Sequence, residues 1–158
     1  MKISEFKFDG IFGGNLNYPN FVYCLLGSGF FRTPSSDNVD SLIKDWLKKH
    51  PDANVFSVSA INSQVIKIIY CWVIDGQDTL NNFLIKNGCF PGGTMIRPKT
   101  WDEMDTREKE LYDESDEKPN VKVFVDKETY ENFIEQIKSA ELYARENKLG
   151  VWSKDLEE

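Results

Sequence analysis

The chain has few of the histidines and cysteines on which many catalytic and metal sites depend. Its single histidine, His50, stands just before Pro51 at the expected end of a helix, a position typical of a helix terminus rather than of a Ser-His-Asp triad. Its three cysteines, Cys24, Cys71 and Cys89, are far apart and form no Cys-x-x-Cys motif. This spacing argues against a zinc site, and we predict no bound metal and no cofactor.

Long apolar segments are missing as well. The apolar run 65–74 is too short and too interrupted to span a bilayer. The first residues, MKISEFKFDG, lack the apolar stretch of a secretory signal. Cysteines in a chain without an export signal are expected to be reduced, buried thiols. We therefore expect a cytoplasmic protein that does not contact a membrane.

Basic side chains are fewer than acidic ones. The chain carries 19 basic and 26 acidic side chains, a net charge of −7. The acidity is concentrated in residues 101–120, where nine Asp or Glu stand against three Lys or Arg, a balance of −6 (3 − 9). Nucleic-acid binding through phosphates needs a basic surface, so the charge does not favour nucleic acid as a partner. The acidic segment is either a solvated excursion or a surface for a basic protein partner.

The residue pattern predicts strands first and then alternating helices and strands. Residues 3–12 alternate between apolar and polar side chains and suit a strand, 13–20 suit a turn, and 21–26 suit a second strand. A helix capped by Asp37 or Asn38 follows. Its apolar residues fall on one face at helical spacing: Val39, Leu42, Ile43, Trp46 and Leu47.

The second half of the chain continues this mixture. Strands at 54–61 and 65–74 lead to the turn Asp75-Gly76 and to a second helix that ends at Gly88. A short strand at 121–125 precedes a long helix capped by Asp126. The order predicts an α+β fold, mainly a β barrel with helices, in one domain over 1–152. Residues 91–125 are an acidic insertion in this domain, and 153–158 are expected to be a frayed tail.

Three segments resemble the staphylococcal nuclease family. Residues 70–90, YCWVIDGQDTLNNFLIKNGCF, resemble its strand, Asp-Gly turn and Val-Asn-x-x-Leu-Val-x-x-Gly helix. Residues 139–153, SAELYARENKLGVWS, resemble its charged closing helix and Leu-x-x-Trp-Ser finish, and Arg32-Thr33-Pro34-Ser35 stands in the place of its Asp-Thr-Pro-Glu motif. The resemblance implies an OB-fold barrel with two shorter helices and a long C-terminal helix.

The positions that carry that family's chemistry are changed in this chain. Phosphodiester hydrolysis there uses carboxylates that hold calcium, a glutamate that activates water and two arginines. The resemblance places Ser35 at the glutamate, Arg32 at a metal-binding aspartate, Gly27 at one arginine and Lys67 at the other. Lys67 keeps the charge but not the bidentate fork of arginine. The resemblance therefore implies a catalytically inactive domain that acts as a binding or interaction module.

Two alternatives stay open. A rearranged phosphodiesterase site would use Asp37, Asp40, Lys67 and Arg97, and only this alternative implies Ca²⁺ or Mg²⁺. Asp37 is otherwise explained as a helix cap and Asp40 as a charge in the first helical turn. In the second alternative, the acidic segment 101–120 makes the chain an inhibitor or decoy of a nucleic-acid-binding protein.

The candidates for ligand binding are Arg32, Lys67, Thr94 and Arg97. The loop that contains Thr94 offers backbone N–H groups from Pro91-Gly92-Gly93-Thr94, but it lacks the Gly-Lys-Ser/Thr ending of a P-loop. The aromatic residues of the first strands are expected to form a barrel core, with a base-stacking platform as the alternative. They are Phe6, Phe8, Phe12, Phe21, Tyr23, Phe30 and Phe31.

Overall fold

A computed structural model describes residues 1–9, 12–28, 35–62, 67–91, 101–113 and 120–154. These residues form an α+β fold, as the order of the predicted elements requires. The strands are β1 (Phe6–Asp9), β2 (Phe12–Asn15), β3 (Tyr18–Leu25), β4 (Asn54–Asn62), β5 (Lys67–Asp75), β6 (Asp78–Thr79) and β7 (Asn120–Val123). The helices are α1 (Val39–Lys49), α2 (Leu80–Lys86), α3 (Thr106–Asp113) and α4 (Lys127–Glu146).

The strands form one sheet in the order β1-β2-β3-β5-β4-β7, with β6 paired to β5. Neighbouring strands are antiparallel except β3 and β5, which are parallel and place Phe21 beside Lys67. Within the described ranges, no pairing joins β1 to β7, so the strand ladders by themselves leave the sheet open.

The N-terminal residues reach the far side of this sheet. Lys2 forms an antiparallel bridge with Asn54 at the start of β4. The Val55 N–H donates to the Met1 carbonyl at 2.7 Å, and the Ile3 N–H donates to the Ala53 carbonyl at 2.9 Å. Because Asn54 also pairs with β5, residues 1–3 and β7 lie on the same edge of β4. Hydrogen bonds thus connect β4 back to the residues that lead into β1.

Helices cover both faces of the sheet. On one face, residues of β3, β4 and β5 pack against α1 and α2 in a cluster that includes Tyr23, Leu25, Val55, Val73, Ile43, Trp46 and Leu84. On the other face, α4 contributes Tyr130 and Ile137 to a cluster with Cys24, Val58, Tyr70 and Trp72. The Trp72 and Phe133 rings stack with their centroids 4.3 Å apart. Both faces of β5 are therefore covered, which accounts for the long apolar run of this strand.

In the first third of the chain, the strands and the turn begin and end at other residues than predicted. Residues 3–5 form a 3-10 turn and not a strand, and the predicted turn 13–20 contains the end of β2 and the start of β3. The Asn15 side chain accepts the Asn17 N–H at 2.7 Å, which closes the chain in a much shorter turn. Pro19 is tolerated in β3 because β5 pairs only from Phe21 onward, so no ladder hydrogen bond to β5 is lost there.

The start of α1 decides between the two predicted caps, Asp37 and Asn38, and shows that Asp37 is not the cap. The N-cap residue is Asn38, and Asp37 precedes it outside the helix. The Asn38 side chain makes no capping hydrogen bond and instead accepts the Ser36 hydroxyl at 2.7 Å. Asp40 lies in the first turn, as expected, and His50 follows the last turn.

The acidic insertion contains regular structure in its described parts. Asp105 caps α3 by accepting the Glu108 N–H at 2.8 Å, and the Glu108 carboxylate accepts the Asp105 N–H at 3.3 Å. This reciprocal pair is a capping box, which the sequence Asp-x-x-Glu allows. After it, β7 joins the sheet, where a strand was predicted at 121–125.

The chain ends in a 3-10 turn, Gly150–Lys154. Ser153, which was expected to belong to a frayed tail, donates its hydroxyl to the Gly150 carbonyl at 2.7 Å. The rest of that tail, residues 155–158, lies outside the described residues. In the described part of the chain, no helix combines the length and the apolar character that crossing a membrane requires.

Candidate functional site

Lys67 is the one ligand-binding candidate whose surroundings the structure describes. It is the first residue of β5, next to Phe21 on β3 and Asn62 on β4. Its ammonium group lies 4.8 Å from the centre of the Phe21 ring, and the Phe21 and Tyr18 rings are 6.1 Å apart. This end of the sheet therefore combines a cation with two aromatic rings, which suits an anionic or planar ligand. Arg32, Thr94 and Arg97 lie outside the described residues.

Gly27, at a position where the resemblance expects an arginine, has a backbone conformation and close neighbours that both disfavour a side chain. Its φ is +96°, a backbone conformation that favours glycine. A β-carbon built there would lie 2.8 Å from the Ile85 side chain and 3.2 Å from that of Ile137. The close packing of α2 and α4 onto this residue is the physical reason for the glycine. Ser35, at the glutamate position, is exposed.

Asp37 and Asp40 are both exposed at the start of α1. Across the ranges that the structure covers, no three side chains of His, Cys, Asp or Glu come together as a metal site. Neither aspartate has a described contact with Lys67. The geometry thus offers no assembled centre for the phosphodiesterase alternative among these residues.

His50 has a partner that sequence reasoning missed. Its Nδ1 lies 2.9 Å from Oδ2 of Asp75, and its ring stacks on Trp46 with centroids 4.1 Å apart. The side chain is only 18% exposed. The pair joins the end of α1 to the end of β5, across 25 positions of sequence, and no local pattern marks it. His50 is a helix terminus, as predicted, and it also holds two elements together.

None of the three cysteines forms a disulfide and all three are buried, as the sequence predicted. Burial raises the pKa of the Cys24, Cys71 and Cys89 thiols above the ordinary value. The Ser28 hydroxyl, 3.5 Å from the Cys24 sulfur, offsets part of this effect on the pKa of Cys24. Thiols held in the protonated form are poor nucleophiles, so these cysteines have a packing role.

The aromatic residues of the first strands belong to the core, as expected. Tyr23 is fully buried, and Phe6 packs edge-on against it with ring centroids 4.9 Å apart. Phe8 and Phe21 lie partly buried on the same cluster, while Phe12 packs on the opposite face. Phe30 and Phe31 lie outside the described residues.

No family model matches the chain, and no curated protein matches it at a significant level of similarity.

Proposed function

We propose that this chain is a catalytically inactive binding module built on an OB-type barrel similar to that of the staphylococcal nucleases. Three features support the barrel: the strand order, the parallel pairing of β3 with β5, and the bridge from Lys2 to Asn54. The sheet runs from β1 to β4, and β4 is hydrogen-bonded in turn to the residues just before β1. OB-folds are partly open Greek-key barrels of five strands, so incomplete ladders are compatible with the fold.

The packing around Gly27 carries the proposal that the module is inactive. Hydrolysis of a phosphodiester depends on cations that stabilise the charge developing on the phosphoryl oxygens, and each such group contributes a factor of about 10²–10³ to the rate. At Gly27 the space of an arginine side chain is taken by Ile85 and Ile137. If the resemblance holds at this position, side chains of α2 and α4 lie where the arginine would begin, which supports an inactive module.

The surface around Lys67 supports the binding half of the proposal. The Lys67 ammonium and the Phe21 and Tyr18 rings lie at one end of the sheet. An anionic group would bind the ammonium, and a planar group would stack on Tyr18, whose side chain is half exposed. We therefore place the ligand of this module at the Lys67 end of the sheet.

Two measurements test the proposal. Incubation with single-stranded DNA or RNA and calcium is expected to leave the nucleic acid intact, and calcium-dependent cleavage that Lys67→Ala abolishes would contradict it. An NMR titration with inorganic phosphate and with a short single-stranded oligonucleotide is expected to shift the backbone signals of Lys67 and Phe21. Lys67→Ala should remove these shifts and Lys67→Arg should keep them, while Lys48→Ala, at an exposed site on α1, is the matched control.

A further inference from the structure

A second surface, between α2 and α4, has the features of a binding cleft. It is an open cleft of about 440 Å³, lined by Asn82 and Lys86 from α2 and by Glu135, Gln136, Ser139 and Tyr143 from α4. The volume is within the range of ligand sites, about 300–1,000 Å³. The cleft is formed by helices and not by the strand ends around Lys67.

Two of the lining residues, Asn82 and Gln136, belong to a chain of side-chain amides with one unsatisfied atom. The Asn82 Nδ2 donates to the Gln136 Oε1 at 2.7 Å, and the Gln136 Nε2 donates to the Asn132 Oδ1 at 3.1 Å. The Asn82 Oδ1 is buried and has no hydrogen-bond partner in the described part of the chain. Exchanging the oxygen and nitrogen of the amides would leave a donor unsatisfied in place of an acceptor. In either orientation, folding leaves a polar atom unpaired at this position, which is unfavourable.

The walls of the cleft combine a cation with apolar surface. The Lys86 ammonium lies 4.6 Å from the centre of the Tyr143 ring. Among the described residues no ion pair of Lys86 is found, and the carboxylate of Glu135, which also lines the cleft, lies 3.7 Å from the Lys138 ammonium. Tyr143 is 45% exposed and the neighbouring Leu142 is 56% exposed, so apolar surface borders the cleft. The lining holds one cation, Lys86, and one carboxylate, Glu135, so it can pair with a single acidic group but lacks the basic excess that the phosphate backbone of a nucleic acid requires.

We propose that the cleft between α2 and α4 binds an extended peptide segment of a partner protein that carries an acidic group and an apolar side chain. A peptide group contains both an N–H and a C=O, so it satisfies Asn82 in either orientation of the amide. The acidic group pairs with Lys86, and the apolar side chain packs on Tyr143 and Leu142. Because the Asn82 Oδ1 is covered, binding opens the Asn82–Gln136 hydrogen bond. This site lies beyond the function proposed at Lys67.

The substitution Asn82→Leu separates a binding role from a structural one. Leucine has a similar volume and removes the unsatisfied atom, so we expect a higher Tm together with weaker peptide binding. A purely structural amide gives a lower Tm instead. Ser139→Arg is the second variant: it fills the cleft from an exposed position of α4, where arginine is a good helix former.

The binding experiment uses a display library of random short peptides, selected on the native protein and counter-selected on Ser139→Arg. Enriched peptides are expected to contain Asp or Glu near an aromatic or aliphatic residue. We expect Asn82→Leu to weaken their Kd about tenfold or more, whereas Lys67→Ala leaves it unchanged. The failure of the Lys67 site and the failure of this cleft are therefore distinguishable.

Three results overturn the inference. The first is that no peptide is enriched over the Ser139→Arg variant. The second is that enriched peptides bind the native protein and Asn82→Leu equally well. The third is that a single-stranded oligonucleotide binds and loses its affinity with Asn82→Leu, which assigns the cleft to nucleic acid.

Discussion

The side-chain oxygen of Asn81 accepts the backbone N–H of Val73 at 2.9 Å, in the interior between α2 and β5. The Asn81 amide nitrogen donates to the carbonyls of Leu26 at 2.9 Å and Cys71 at 3.0 Å. One buried side chain therefore ties α2 to the middle of β5 and to the end of β3. An amide side chain suits this place because it can accept one hydrogen bond and donate two.

We expect Asn81→Leu to destabilise the protein strongly. Leucine fills a similar volume but leaves buried backbone groups without partners, and each unsatisfied group costs about 1–3 kcal/mol. The free energy of unfolding, measured in urea by circular dichroism, should fall by about 3 kcal/mol or more. Asn132→Ala, at an exposed position, should change it by less than about 0.5 kcal/mol. Equal effects of the two substitutions would contradict the structural role of Asn81.

Gly88→Ala should separate the end of α2 from the end of α4. Gly88 has a φ of +73°, its carbonyl accepts the Val151 N–H at 2.8 Å, and a β-carbon there would collide with the backbone of Leu149. The matched control is Gly76→Ala, because Gly76 has a similar φ of +61° but open space around it.

In the control, the free energy of unfolding should fall only by the cost of placing alanine in a left-handed backbone conformation, about 1–2 kcal/mol. Gly88→Ala should lose about 1–3 kcal/mol more, since the collision forces the backbone to move. Urea denaturation of both variants measures the difference. A similar fall in the free energy of unfolding for both variants would show that the ends of α2 and α4 are not in close contact.

The cap of α4 predicts a pH dependence. Hydrogen bonds from Thr129, including its backbone N–H at 2.7 Å, hold the pKa of the Asp126 carboxyl below its ordinary value of 3.8. A carboxyl with a lowered pKa in the folded state stabilises the protein above pH 3.8 and loses this contribution as the pH falls through the lower, folded-state pKa.

We therefore expect Asp126→Ala to lower the Tm at pH 7 and the difference from the native protein to narrow as the pH falls below 3.8. Thermal unfolding followed by circular dichroism measures both. The neighbouring substitution Glu128→Ala, in the first turn of α4, should show a smaller effect. A difference for Asp126→Ala that stays constant to pH 2 would contradict the role of the ionised cap.

The buried cysteines predict slow thiol chemistry. Burial keeps the pKa of Cys24, Cys71 and Cys89 raised, so a thiol reagent such as DTNB should react very slowly with the folded protein at pH 7. In guanidinium chloride all three thiols should react at once. Rapid reaction of one thiol in the folded protein would show that its surroundings open readily.

The sequence by itself determined the features that depend on neighbouring residues. The cap at Asp126, the turn at Gly76, the apolar face of α1 and the two-sided burial of β5 all follow from local spacing or from the demands of a single turn. The α+β class follows from the same signals, because helix and strand periods differ. Even so, local pattern placed the start of β3 too late, since the turn at Asn15 and Asn17 is formed by a side chain.

Only the tertiary structure decided what these elements do to one another. The resemblance puts Gly27 where the nuclease family has an arginine, but its φ of +96° and the approach of Ile85 and Ile137 from two distant helices explain the glycine. The His50–Asp75 pair and the unsatisfied Asn82 in the cleft are likewise invisible in the sequence. Each depends on which groups meet across the fold, and periodicity along a chain carries no information about such meetings.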